Sequence, residues 1–315
     1  MRKLISIIIP MYNEEESLPY LYNRLAKLAK DISNYDMEFL FVNDGSRDNS
    51  LEIVKKYREK DLRVCYLNLS RNFGKEVAMA AAFDYVKGDV VAIIDADLQD
   101  PPELIIEMLK YYEIGYDDVY AKRRNRKGET ALKKFTSHVF YRVLKSMSSI
   151  PIQEDTGDFR LLSKRAVEAL KEFPEKQRYT KGMFSLIGFK KKAIEFDRDP
   201  RVAGTTKWNY FKLFDLAIEG ITSFTVAPLR IATMIGMISA LASILYMIFI
   251  FFKTIIKGID VPGYASLICI ILLLGGIQLI CLGIIGEYLG RIFIEVKNRP
   301  LYLIDEYVGN DYDDK

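Results

Sequence analysis

Asp95 and Asp97 stand two residues apart at the end of an apolar run, in the stretch V-V-A-I-I-D-A-D-L-Q-D-P-P-E from Val90 to Glu103. Two carboxylates this close repel each other unless a cation sits between or beside them. Gln99 adds a neutral oxygen two residues further on. Hard oxygen donors in a compact turn suit Mg²⁺ or Mn²⁺, and such an ion suits a diphosphate. Asp95, Asp97 and Gln99 are therefore the candidate metal ligands. Acidic D-x-D turns are also common solvated loops, so the flanks decide. Here a run that reads as a buried strand comes before, and Asp100-Pro101-Pro102, a helix cap and first turn, comes after.

An aspartate pair at a strand end needs a sheet to hold it. Leu4 to Ile9, Glu38 to Val42, Arg63 to Leu67 and Val90 to Ile94 read as strands. Helical runs lie between them, over Glu15 to Asp31, Asn49 to Lys60 and through the alanine-rich Ala78 to Phe83. That alternation predicts an α/β domain with a parallel, doubly wound sheet. Such sheets bind ligands at the carboxyl ends of their strands. The polar turns Tyr12-Asn13-Glu14, Asn43-Asp44-Gly45-Ser46 and Asp95 to Gln99 all follow strands, so they converge there. Asp44 can accept from a base N–H and Tyr12 can stack on the base. Taken singly, each is ordinary turn chemistry; the convergence is the stronger signal.

Asp118 to Lys122 reads as a fifth strand, leading into the basic loop Arg123-Arg124-Asn125-Arg126-Lys127. That loop is either a solvated surface or a phosphate clamp. A helix over Ala131 to Met147 carries the only histidine, His138, which receives no role. In Thr156-Gly157-Asp158-Phe159-Arg160, Gly157 permits a close backbone approach. Asp158 either pairs with Arg160 or faces an acceptor. Arg201 and Lys207 lie in a loop before a helix whose apolar residues, Trp208, Phe211, Phe214, Ile218 and Ile221, make one stripe. Residues 208–226 read as an interfacial helix on a bilayer, with packing onto the catalytic domain as the alternative.

Two apolar runs follow, at 228–252 and 264–286, each long enough to cross a bilayer. The linker between them is short, so they form a hairpin with both chain ends on one side. Lys207, Lys212 and Arg230 precede it, Arg291, Lys297 and Arg299 follow it, and the linker holds only Lys253 and Lys257. That bias puts the catalytic domain, residues 1–207, in the cytoplasm, with a multi-pass anchor in the inner or plasma membrane. Residues 287–315 read as a cytoplasmic tail, frayed and acidic from Asp305. The N-terminal apolar run is too short for a signal peptide. A net charge of +3 is too small to argue for nucleic acid. Cys65, Cys269 and Cys281 lack metal-ligand spacing and suggest no disulfide framework.

The motifs Ile9 to Glu14, Asn43 to Ser46, Ser70 to Lys75, Asp95 to Pro102, Gly157 to Leu161 and Arg201 to Trp208 together resemble the polyprenyl-phosphate glycosyltransferases, in particular the bactoprenol glucosyltransferases. More distantly they are similar to dolichol-phosphate mannose synthase. The resemblance covers nearly the whole chain, both spans included. It implies a GT-A (Rossmann-like) fold and inversion at the sugar. It places Pro10, Tyr12, Glu14, Asp44, Lys75 and Asp95 around the nucleotide sugar, and Asp95, Asp97 and Gln99 around Mg²⁺ or Mn²⁺. Arg201 and Lys207 match basic positions that meet phosphates, and Asp158 matches a carboxylate treated as catalytic. Thr206 stands where relatives often carry serine, a mild departure. A homo-oligomer, a tetramer by resemblance, is implied as well.

The expected reaction is hexose transfer from a UDP-sugar, glucose first and N-acetylglucosamine second, to polyprenyl (undecaprenyl) phosphate. The product would feed a downstream flippase and glycosyltransferase in cell-envelope glycan modification. Asp97, Asp158, Arg201 and Lys207 are the candidate catalytic residues, and Arg123, Arg126, Arg201 and Lys207 the candidate acceptor-phosphate clamp. A phosphate monoester is largely dianionic at neutral pH, so Asp158 is expected to be necessary for activity without having to take a proton. A processive polysaccharide synthase would use the same front domain, but two spans make a poor polymer channel and the chain lacks Q-x-x-R-W. A scaffold with a decayed site fits poorly with intact Asp44, Asp95 and Asp97.

Overall fold

A computed structural model describes residues 2–124, 156–176, 178, 180–197, 226–257 and 263–310. The helix expected over 131–147, the interfacial helix over 208–226, and Arg126, Arg201 and Lys207 lie outside them.

The described strands are β1 (Lys3–Met11), β2 (Tyr35–Asn43), β3 (Val64–Leu69), β4 (Val90–Ile93), β5 (Asp118–Arg123), β6 (Thr156–Ser163), β7 (Lys191–Phe196) and β8 (Ile304–Val308). They form one sheet in the order β7-β5-β6-β4-β1-β2-β3-β8. The centre, β4-β1-β2-β3, is parallel, as the strand–helix alternation predicts. Two strands run against it. β6 inserts antiparallel between β4 and β5, and β8 adds antiparallel to the edge at β3.

Alternate residues of each strand face opposite sides, so both faces need cover. On one side Ile5, Ile7, Ile9, Phe39 and Phe41 pack under α1 (Leu18–Asp31), α2 (Ser50–Lys60) and α4 (Leu104–Glu113). The helix α1 presents Leu18, Leu21, Leu25 and Leu28, a stripe at spacings of three and four. On the other side Ile8, Leu40, Val42, Val91, Ile93 and Leu162 pack under α3 (Lys75–Tyr85), α5 (Lys164–Lys171) and α6 (Thr180–Leu186). The α3 face is built from alanines, whose small side chains let the helix lie close to the strands.

Two expectations about local pairing change. Asp100 does not cap α4: the helix starts at Leu104 after a turn in which Pro101 and Pro102 carbonyls accept the Leu104 and Ile105 N–H groups. Nor does Arg160 pair with Asp158. Its guanidinium donates to Asp118 on the neighbouring strand, at 3.1 Å, with both side chains fully buried. The Phe184 ring lies 3.5 Å from the guanidinium carbon. Burial pushes the Asp118 carboxyl up and the Arg160 guanidinium down, and their contact opposes both shifts. Replacing Asp118 by Asn would leave an uncompensated buried cation. The expected cost is about 3–5 kcal/mol, read as a large drop in the thermal midpoint of the full chain in detergent.

The chain divides into two compact units, one containing the sheet and one containing the hairpin. The hairpin helices are α7 (Ala227–Lys257) and α8 (Tyr264–Val296). Their apolar stretches, Pro228–Ile256 and Cys269–Val296, hold 29 and 28 residues and are not buried by the chain itself. At 1.5 Å per residue each exceeds the roughly 30 Å of a bilayer core. Both helices run further than the expected spans. In α8 the added turns carry Glu287 and Arg291, an i,i+4 ion pair at 3.0 Å.

The tail expected to fray from Asp305 is ordered as far as residue 310, and its remainder lies outside the described residues. At Pro300 the chain re-enters the sheet unit, and residues 304–308 form β8. The acidic composition that suggested a solvated end is matched by partners. Glu306 accepts from Tyr66 Oη at 2.8 Å and pairs with Lys55 at 2.8 Å. Arg58 donates to the Asn310 side chain at 2.7 Å.

Candidate active site at the strand ends

The antiparallel pairing of β4 with β6 sets the site. Ile93 lies opposite Arg160 and Val91 opposite Leu162. Carried two residues beyond Ile93, the last paired residue of β4, this register would bring Asp95 level with Asp158, on the sheet face that α3 helps to cover. Like charges directly opposite destabilise a sheet. The first residue of α3 answers this: Lys75 Nζ lies 2.5 Å from Asp95 Oδ1 and 2.5 Å from Asp158 Oδ2. Burial works against the Lys75 charge, but the Asp158 and Asp95 carboxylates outweigh it and hold the ammonium above the usual lysine range. Asp158 is itself only 8% exposed, while the Lys75 side chain keeps 41% of its exposure.

Three turns hold this cluster, and they interlock. Asp44, at the end of β2, is buried, and both its oxygens are used: Oδ1 accepts from Phe73 N–H at 2.7 Å and Oδ2 from Gly74 N–H at 2.9 Å. Burial pushes the Asp44 carboxyl up, and the two N–H donors pull it back only in part. Asp44 thus fixes the turn that launches Lys75, a role sequence reading missed. Gly45 has φ +65°, and a Cβ there would meet Arg71 backbone carbon at 2.5 Å. Only glycine lets the second turn close onto the third. The first turn docks on the second through Asn13, whose N–H donates to Ser46 Oγ at 3.0 Å and whose Oδ1 accepts from Arg47 N–H at 2.8 Å.

Around these turns Pro10 is buried at the end of β1, and Tyr12 and Glu14 are half-buried beside it. The Glu14 carboxylate accepts from Ser17 Oγ at 2.9 Å, at the start of α1. Arg123 ends β5 near Asp158. A Cβ at Gly157 would lie 3.7 Å from Arg123 Nη2 and 3.9 Å from Asp100 Oδ2. Those are ordinary contacts, so the close backbone approach expected at Gly157 is not required there. The structure therefore gathers Tyr12, Glu14, Asp44, Lys75, Asp95, Asp158 and Arg123 at one sheet edge.

The D-x-D turn alternates. Asp95, Asp97 and Gln99 are partly exposed, whereas Ala96, Leu98 and Asp100 are buried. Leu98 takes φ +59°, a strained conformation for a bulky residue, and Asp97 Oδ1 accepts from Gln99 N–H at 3.2 Å. The three exposed oxygen-bearing side chains fit a hard divalent cation. Among the described residues no three His, Cys, Asp or Glu side chains form a closed metal cage. That suits an ion held by one or two carboxylates and completed by water and substrate phosphate. A surface hollow of about 910 Å³ flanks α4 at Pro101, Leu104, Glu107 and Tyr111. It contains none of this cluster, so chemistry rather than volume locates the site.

Comparison with known proteins identifies the family. Residues 6–171 match the model of Glycosyl transferase family 2, and residues 227–292 match the GtrB C-terminal hairpin. An uncharacterized glycosyltransferase of Synechocystis sp. is 49% identical, over 98% of this chain and 96% of its own. The SfII prophage-derived bactoprenol glucosyl transferase of Shigella flexneri is 44% identical, over 95% of this chain and 97% of its own. Among solved structures, mannosyl-3-phosphoglycerate synthase from Rubrobacter xylanophilus aligns with TM-score 0.47 and 16% identity, over 69% of this chain and 71% of that one.

Proposed function

Because the chain belongs to Glycosyl transferase family 2 and carries the GtrB C-terminal hairpin, we propose that it transfers glucose from UDP-glucose to polyprenyl phosphate at the cytoplasmic face of the membrane. The family makes it a glycosyltransferase of GT-A fold. Relatives named bactoprenol glucosyl transferases, similar over nearly their whole length, support a bactoprenol-type acceptor and glucose. The observation that carries the reading is the Asp95–Lys75–Asp158 cluster at the strand ends, beside the open D-x-D turn.

In this reading an acceptor phosphate oxygen attacks the anomeric carbon from the face opposite the nucleotide. The C1–O bond to UDP breaks as the C1–O bond to the lipid phosphate forms, with inversion. A bound Mg²⁺ or Mn²⁺, held by Asp95, Asp97 and Gln99, would neutralise the departing diphosphate. The acceptor is already largely a dianion at neutral pH, so Asp158 need not take a proton. Its Oδ2 is engaged by Lys75, which suits a group that orients its surroundings. Arg123 lies on the Asp158 side of the site and is the described candidate for the acceptor phosphate; Arg126, Arg201 and Lys207 are proposed to join it. Tyr12, Glu14 and the turn at Asp44 line the expected nucleotide side. The hairpin would keep the site near its lipid substrate.

The test is a transfer assay on the full chain in detergent, with undecaprenyl phosphate, Mn²⁺ or Mg²⁺, and a panel of radiolabelled nucleotide sugars. UDP-glucose is expected to give the strongest label in the organic phase. Label from UDP-N-acetylglucosamine instead would replace the sugar. No lipid label with any donor, from folded protein, would overturn the acceptor.

A further inference from the structure

The strand that follows the hairpin is wired to the turn proposed to hold the donor. Asn68 on β3 donates from Nδ2 to Asp305 Oδ2 at 2.9 Å. Asn43, at the end of β2, donates from Nδ2 to Asn68 Oδ1 at 2.7 Å, and the two residues are register partners. Ser46 N–H donates to Asn43 Oδ1 at 3.2 Å, and Asn13 N–H donates to Ser46 Oγ at 3.0 Å. Asn43 and Asn68 are buried. An unbroken polar chain thus runs from β8 across the sheet edge to Asn13, which holds φ +54° beside Tyr12.

The two ends of this chain dictate its sense. Ser46 contributes a backbone N–H, which only donates. Asp305 contributes a carboxylate, which only accepts when ionised. Between them each asparagine has one orientation that satisfies both neighbours, oxygen toward Ser46 and nitrogen toward Asp305. The β8 register shows how Asp305 reaches its place. Asn68 pairs with Glu306 but Leu69 pairs with Ile304, so Asp305 is an extra residue, a bulge. Bulges re-aim a side chain, and this one turns the Asp305 carboxylate to Asn68.

We propose that Asp305 is a positioning residue for the nucleotide-sugar turn, acting through Asn68 and Asn43 to fix Ser46 and Asn13. The proposal rests on the reading above that this turn meets the donor. It also gives the post-hairpin strand a part in the catalytic unit: the segment following the anchor completes the donor side of the site.

The test uses the full chain in detergent and two variants, Asp305→Ala and Asp305→Asn. Asparagine can still offer an oxygen to Asn68; alanine cannot. Two readouts are taken: hydrogen exchange at the Asn13 and Ser46 amides, and affinity for UDP with Mn²⁺. Asp305→Ala is expected to speed exchange at both amides and to weaken UDP by ~3–10-fold, as for loss of one partly buried hydrogen bond. Asp305→Asn should hold both readouts near wild type. A merely structural role for β8 would instead speed exchange along β3 and leave UDP affinity alone. Unchanged exchange at Asn13 and Ser46 in Asp305→Ala overturns the proposal, as does faster exchange with unchanged UDP affinity. A wild-type chain that binds no UDP would remove the donor-site reading, while the exchange readout would still decide the relay.

Discussion

Replacing Lys75 by methionine is expected to lower transfer by ~100-fold or more while the chain stays folded. Asp95 Oδ1 and Asp158 Oδ2 each lie 2.5 Å from the same nitrogen, so they are at most about 5 Å apart. Two unit charges at that distance repel by about 3 kcal/mol at an effective dielectric constant of 20. At about 1.4 kcal/mol per factor of ten, that corresponds to ~100-fold. Without the ammonium, one carboxyl must take up a proton or swing away, and either change dismantles the arrangement around the reacting centre. Methionine keeps the length of the stem at the start of α3 but not the charge. Lys75→Arg retains the charge with a different shape and should recover part of the rate. Initial rates of label transfer to lipid, with the thermal midpoint as a control for folding, decide the matter. Turnover close to wild type in Lys75→Met would show that the cluster does not border the reacting atoms.

Asp97→Asn should cost more, ~1,000-fold or beyond, because a metal ion contributes several kcal/mol of charge stabilisation in such a reaction. The substitution is informative because its structural cost is small. Asp97 is partly exposed, and its Oδ1 accepts from Gln99 N–H. An asparagine oxygen can make the same bond, so the turn with its strained Leu98 should survive. What disappears is one of the two carboxylates on the open side. The direct measurement is Mn²⁺ binding by electron paramagnetic resonance, expected to weaken at least tenfold in the variant. Normal Mn²⁺ affinity with normal turnover would take the metal away from this turn.

Much of the molecule is written in local patterns. The β-branched runs, the helical stripe of α1 and the polar residues after each strand are short-range features, and each fell close to its expected place. Val90 to Asp97 is the clearest case, because its buried strand and the two carboxylates after it are read directly from the order of residues. The two long apolar helices were equally legible, since length and apolarity are read directly from the order of residues. Hydrogen bonds between distant residues were not legible. Asp158 pairs with Lys75 rather than with Arg160, its near neighbour in sequence, because β6 runs antiparallel beside β4 and α3 begins with Lys75 against both carboxylates. Asp44 reads as a base-binding carboxylate, and only the fold shows that its two oxygens also accept from the turn ahead of Lys75. The acidic end reads as frayed, because composition reports average solvation and not whether a free sheet edge awaits the segment.

By itself the sequence determined the strand–helix alternation of the first hundred residues, the turns that follow those strands and the two long apolar helices, because those depend on neighbours within a helical turn or a strand. Tertiary structure alone decided which charges meet. The antiparallel pairing of strands some seventy residues apart brings Asp95 and Asp158 to the same end of the sheet, where both meet Lys75. The return of the chain at Pro300 brings Asp305 to Asn68. Neither contact has a local signal, since each depends on where the rest of the chain has already packed.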